Sequence, residues 1–113
     1  MYKQSRNLEQ SIQNKISDLV DSGLPLAVWG VGTHTLRLLE TSRLSKARII
    51  AFIDSNVHYQ GKTLAGVRIV APSEFSDVTA DILISSQTAE DEIFQTIRDK
   101  LRWQNTVHRL YAN

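Results

Sequence analysis

The chain has 113 residues, 42% of them apolar, which suits one compact domain with its own core. Lys and Arg number 13 and Asp and Glu 12, a near balance that argues against a nucleic-acid partner, which calls for a basic excess. Cysteine is absent, so disulfides, thiolate nucleophiles and cysteine-bound zinc are excluded.

The opening Met1-Tyr2-Lys3-Gln4-Ser5-Arg6 lacks an apolar signal core, and no apolar run approaches membrane-spanning length. The expectation is a cytoplasmic protein without a membrane partner. Residues 5–22 read as an amphipathic helix, with Leu8, Ile12, Ile16, Leu19 and Val20 on one stripe. Gly23 and Pro25 end it. Its apolar face must cover this domain's sheet or a partner, and the sheet is the plainer choice.

Leu26 to Trp29 is a short, continuously apolar run of the kind that forms a buried parallel strand. Thr33 to Arg43 should be helical, with Leu36 and Leu39 facing the sheet and Leu38 beside them. A second buried strand is expected at Ile49 to Ile53. Asp54 to Gly66 is polar and reads as a loop, Val67 to Val70 as a short third strand, and Pro72-Ser73-Glu74-Phe75 as one helical turn. Ile82 to Ile84 forms a fourth strand ending in Ser85-Ser86. Thr88-Ala89-Glu90-Asp91 resembles a helix-start box, and Ile93, Ile97 and Leu101 follow at spacing four, with Phe94 alongside. Thr106 to Leu110 suits a strand at the sheet edge.

Strands alternate with helices, which implies an α/β fold: a small Rossmann-like domain with a doubly wound parallel sheet of about five strands and helices on both faces. Right-handed crossovers with one reversal give strand order 3-2-1-4-5. Residues 1–113 form one domain on this reading, 1–24 as the extra N-terminal helix and 25–113 as the βα core.

In such a sheet, ligands sit at the carboxyl ends of the strands where the winding reverses. That crevice lies between the first and fourth strands. Gly30 can make the sharp turn after the first, and Gly32 lets a ligand approach without a Cβ in the way. The helix from Thr33 and His34 offers unpaired N–H groups and a positive dipole end for phosphate. Asp54 can accept hydrogen bonds from ribose hydroxyls and disfavours a 2′-phosphate, so NAD-like ligands are preferred to NADP-like ones. Ser85 and Ser86 close the far side. The third glycine of G-x-G-x-x-G is Thr35 here, whose branched side chain is expected to push the helix outward and weaken full dinucleotide binding. Plainer readings stand beside these: a tight strand-to-helix connection at Gly30, an Asp54 that caps a turn with Ser55 and Asn56, and helix-capping serines.

His34 has no paired carboxylate nearby in sequence, so ligand contact or loop packing is expected rather than acid–base work. His58 and His108 are isolated, and no metal site is expected. Gly61-Lys62-Thr63 imitates the end of a P-loop, but Asn56 stands where the leading glycine belongs. Tyr59 and Lys62 are three apart, not the four of a Tyr-x-x-x-Lys pair. Arg98, Lys100, Arg102 and Arg109 read as a solvated helix end, with Trp103 packed over it. An exposed Trp103 would mark a partner surface.

Four stretches together carry a resemblance. They are Val28-Trp29-Gly30-Val31-Gly32-Thr33-His34, Ile50-Ala51-Phe52-Ile53-Asp54-Ser55-Asn56, Gly61-Lys62-Thr63-Leu64-Ala65-Gly66-Val67-Arg68-Ile69 and Asp81-Ile82-Leu83-Ile84-Ser85-Ser86. In this order they resemble, over about residues 25 to 103, the small Rossmann-like domain that opens hexapeptide-repeat sugar acyltransferases. They are also similar to the N-terminal domain of nucleotide-sugar epimerase/dehydratase-like proteins of polysaccharide biosynthesis, and related domains accompany some methyltransferases. The resemblance implies a nucleotide end held near Gly30, Gly32, Thr33 and His34, with a polar contact at Asp54. It implies a nucleotide-sugar, or NAD, as ligand. The catalytic parts of those enzymes, a β-helix or a following domain, are lacking here. The expectation is therefore a non-catalytic nucleotide or nucleotide-sugar binding module. The alternative is a Rossmann-like docking domain of a larger enzyme, for example a methyltransferase, with an empty crevice and residues 5–22 or the Trp103 face bound to a second copy or a partner enzyme domain.

Overall fold

The computed structural model describes residues 2–112, with side chains from residue 7 onward; Met1 and Asn113, the ends of the expected 1–113 domain, lie outside them. In chain order come α1 (Tyr2–Ser22), β1 (Leu26–Trp29), α2 (Thr33–Thr41), a 3-10 turn (Arg43–Lys46), β2 (Ile49–Ile53), β3 (Thr63–Leu64) and β4 (Val67–Val70). A 3-10 turn (Pro72–Glu74), β5 (Asp81–Ile84), α3 (Glu90–Gln95), a π-helical turn (Thr96–Lys100) and β6 (Val107–Arg109) follow.

The sheet has six strands in the order β3-β4-β2-β1-β5-β6. β1, β2, β4, β5 and β6 pair in parallel, whereas β3 pairs antiparallel to β4. This mixed sheet corrects the expectation of five parallel strands. β3 lies inside the stretch read as a loop, and the hairpin turns on Ala65 and Gly66, whose φ values of 51° and 79° are both positive. Two positive φ values in a two-residue connection are what a type I′ hairpin requires, and an Ala at the first position hides that turn from a sequence reading.

Alternation along the strands divides the core between the two faces. Leu26, Val28, Phe52, Ile69 and Leu83 point to one face, where Ile12, Ile16 and Leu19 of α1, Leu38 of α2 and Leu44 cover them. Ala27, Trp29, Ala51, Ile53, Ile82 and Ile84 point to the other, beneath Phe75, Ile97 and the partly buried Ile93 and Phe94. The apolar stripe of α1 is thus spent on this chain's own sheet, although Leu8 lies exposed beyond it. Trp103 is half-buried, with ring centroids 5.9 Å from Trp29 and 5.3 Å from Phe75, so it does not present an exposed aromatic face. No helix among the described residues is long and apolar enough to cross a membrane.

Helix boundaries differ from expectation at two places. α2 stops at Thr41, not Arg43, because the Ser42 hydroxyl accepts from Leu44 N–H at 3.1 Å and starts the 3-10 turn. Leu36, expected against the sheet, is 46% exposed; Thr35 and Leu38 occupy the buried side of α2 instead. The phase of the helix is set by the hydrogen bonds of Thr35 to the ends of β1 and β5.

Candidate functional site

At the carboxyl ends of β1, β2 and β5 a cleft of 790 Å³ opens. Gly30, Gly32, Thr33, His34, Asp54, Ser85 and Ser86 all line it, so the structure brings these seven candidate residues together. The register of the sheet does this. β1 pairs with both β2 and β5, placing Trp29 opposite Ile53 and Ile84, and the three strands end level with one another.

Gly30 carries the ladder one step further, donating N–H to Ile53 O at 2.8 Å, and then turns with φ +115°. A Cβ there would stand 2.7 Å from the Ser85 carbonyl oxygen. Both the backbone conformation and the close approach of β5 therefore require glycine. Gly32 is different. Its φ is −77°, and a Cβ would meet nothing within 4 Å. The space beside Gly32 is open cleft.

Asp54 ties the two loops together. Its Oδ2 accepts from Val31 N–H at 3.1 Å and its Oδ1 from Asn56 N–H at 2.8 Å. It is the turn cap of the plainer reading and also a staple on the glycine turn. Two carboxylate oxygens offer about four acceptor sites, so acceptor capacity remains on the cleft side.

Thr35 overturns the expectation that it would hold α2 away from the sheet. It is wholly buried, with Oγ1 2.7 Å from Gly30 O and 2.6 Å from Ser85 Oγ. A glycine at this position would pack closely; threonine instead bridges the ends of β1 and β5 with hydrogen bonds. Ser85 is buried and not a helix cap, for its hydroxyl also lies 3.1 Å from His34 Nδ1. Ser86 Oγ accepts from Ala89 N–H at 3.1 Å, a bond in the turn ahead of α3, and no side chain caps the helix itself, whose N-cap is Ala89. Thr88 does not cap α3, because the helix begins two residues later, at Glu90.

His34 Nε2 lies 2.5 Å from the hydroxyl of Tyr111, and the two rings pack with centroids 5.6 Å apart. Burial, then the Arg37 guanidinium, lower the His34 pKa from 6.5, with Glu90 pulling the other way. Burial and Glu90 raise that of the Tyr111 phenol above 10. Both shifts keep the pair uncharged, a neutral imidazole beside a protonated phenol. Glu90 itself is 4% exposed and accepts from Arg109 Nε at 3.3 Å and from Tyr111 N–H at 3.0 Å. Arg109 also pairs with Asp91, and Arg98 donates to Trp103 O at 2.7 Å. These two arginines are engaged within the fold.

Sequence reasoning missed Arg37, Pro72, Glu92, Ile93 and Thr96, which also line the cleft, and Tyr111 behind it. Arg37 follows His34 by three residues on one helix face, a spacing that could have flagged it. Tyr111 gives no such signal, since 77 residues separate it from His34.

A family model described as C2185-like, N-terminal, matches residues 25–105. No curated protein matches the chain. Among solved structures, the crystal structure of UDP-D-quinovosamine 4-dehydrogenase from Vibrio fischeri is similar, with 21% sequence identity over 76% of this chain and 76% of that one. The TM-score is 0.58, and at this identity the likeness is one of fold.

Proposed function

The chain belongs to the C2185-like, N-terminal family, and on that premise we propose that it is a binding module for a nucleotide or nucleotide-sugar, with no catalysis of its own. One observation carries the reading. Gly32 sits at the start of α2 with an ordinary φ and open space where a side chain would go, so the fold gives no reason for glycine there. A ligand that needs close approach to the backbone gives one.

The phosphate would then lie against Gly32, Thr33 and the first turn of α2. Asp54 would face the ribose, and Gln87, Thr88 and Glu92 would offer polar groups to the far end of the ligand. The similar solved structure is named both for a UDP-sugar and for a dehydrogenase, so its name supports a nucleotide ligand, either a sugar nucleotide or NAD. A role linked to sugar or polysaccharide biosynthesis follows from the former. We read 1–113 as one domain, and the reactive half as belonging to a partner or to another part of the same enzyme.

The test is titration of the isotopically labelled chain with UDP, a UDP-sugar, NAD, NADP and S-adenosylmethionine, followed at backbone amides. Saturable shifts at Gly30, Gly32, Thr33 and Asp54 are expected with one of UDP, the UDP-sugar or NAD. Absence of shifts with every ligand at millimolar concentration, weaker than about −4 kcal/mol, would overturn the reading and turn attention to docking.

A further inference from the structure

The side chains behind the cleft form one chain of hydrogen bonds that the binding reading does not use: Tyr111, His34, Ser85, Thr35 and the Gly30 carbonyl. Donor and acceptor capacities fix its direction. The Gly30 carbonyl can only accept, so the single Thr35 hydroxyl proton is best placed there. Ser85 then donates to Thr35 Oγ1 and accepts from His34 Nδ1–H. His34 Nε2 is left as an acceptor, and the Tyr111 hydroxyl donates to it. Every polar atom in the chain is satisfied in this order, and both ring nitrogens of His34 are occupied. His34 is thus a tie between α2, the end of β5 and the segment after β6.

That segment is held from three sides. Tyr111 N–H donates to Glu90 of α3, the Tyr111 hydroxyl reaches His34 of α2, and Lys15 Nζ of α1 donates to Arg109 O at 3.1 Å and Leu110 O at 3.4 Å. It crosses at the carboxyl end of the sheet, the end where the cleft opens.

We propose that Tyr111 is a positioning residue of the ligand site: through His34 it fixes the first turn of α2, so that docking of residues 109–112 and filling of the cleft reinforce each other. The proposal rests on the binding reading above. Its physical basis is preorganisation. A turn already held against Ser85 loses less freedom when a phosphate settles on it. By linkage, whatever favours the docked segment favours the ligand, and the reverse holds by the same factor. The segment thereby gives this module a means of reporting occupancy to a partner that contacts residues 109–112.

The experiment compares the wild-type chain with Tyr111→Phe, which keeps the ring against His34 and removes only the hydroxyl. Three quantities are read: the ¹⁵N shifts of the His34 ring, the Kd for UDP and for NAD, and hydrogen exchange at the Tyr111 amide with and without saturating ligand. In wild type the ring is expected in the Nδ1–H tautomer, and ligand slows Tyr111 exchange by about tenfold. In Tyr111→Phe the tautomer mixes and the Kd rises by about three- to tenfold, while the thermal midpoint stays close to wild type. A merely structural role would also shift the tautomer, because the hydroxyl is lost in either case, but would leave the Kd and the ligand-dependent exchange unmoved. If the probe binds, with shifts at Gly32 and Thr33, but exchange at Tyr111 and the variant's Kd are unchanged, the proposal is overturned and the binding reading survives. If neither these probes nor the other ligands of the titration above shift Gly32 or Thr33 in wild type, both fall together.

Discussion

The two turns that face each other across the cleft are held by different means. The turn after β1 is fixed mainly by backbone: a glycine at φ +115°, a ladder bond from Gly30 to Ile53, and Val31 N–H on the Asp54 carboxylate. The turn after β5 is fixed by side chains, Ser85 between Thr35 and His34 and Ser86 on Ala89 N–H. The backbone half is written in residue types that can do little else, so it reads as a motif. The side-chain half uses serine, threonine, histidine and tyrosine, each common anywhere, and gains its meaning only from its neighbours.

Gly30→Ala should separate the two halves most strongly. It forces a Cβ to 2.7 Å from the Ser85 carbonyl at a backbone conformation alanine avoids, and a loss of about 2–4 kcal/mol in urea unfolding is expected. A near-neutral result would mean that the backbone half is not rigid. Next is Thr35→Val, which keeps the shape and removes the bridge. The stranded Ser85 hydroxyl and Gly30 carbonyl should cost about 1–3 kcal/mol. Unchanged stability there would show that the bonds between the two turns do not hold them together.

Gly32→Ala sharpens the contrast between the two glycines. Open space and an ordinary φ predict a stability change within about 0.5 kcal/mol, checked by the same unfolding curve. If a nucleotide phosphate rests there, the Kd for UDP should rise by about tenfold in a calorimetric titration.

The smallest effect expected is on pH dependence. Burial holds the folded pKa of His34 below its ordinary 6.5, so the unfolded chain takes up its proton at higher pH. The stabilisation from the neutral ring is complete above about pH 6.5 and is lost as pH falls through the folded value. The thermal midpoint of wild type should drop between pH 7 and 5.5 more steeply than that of His34→Gln. Equal slopes would show that the ring gains nothing from staying neutral.

Local chemistry in the sequence determined the alternation of strands and helices, the reversal that opens a crevice beside β1, and seven of the residues that line it. Apolar runs, helical spacing and glycine turns act over a few residues, so they can be read without the fold. Tertiary structure decided the rest. Thr35 reads as an obstacle until Ser85, 50 positions away, is brought to 2.6 Å. Glu90 reads as an ordinary first-turn carboxylate until Arg109 and the Tyr111 amide bury it. The β3–β4 hairpin reads as loop because two residues are too few to show a period and Ala65 conceals a positive φ. In each case the partner is supplied by the register of the sheet, a cooperative property of all six strands that no local stretch encodes.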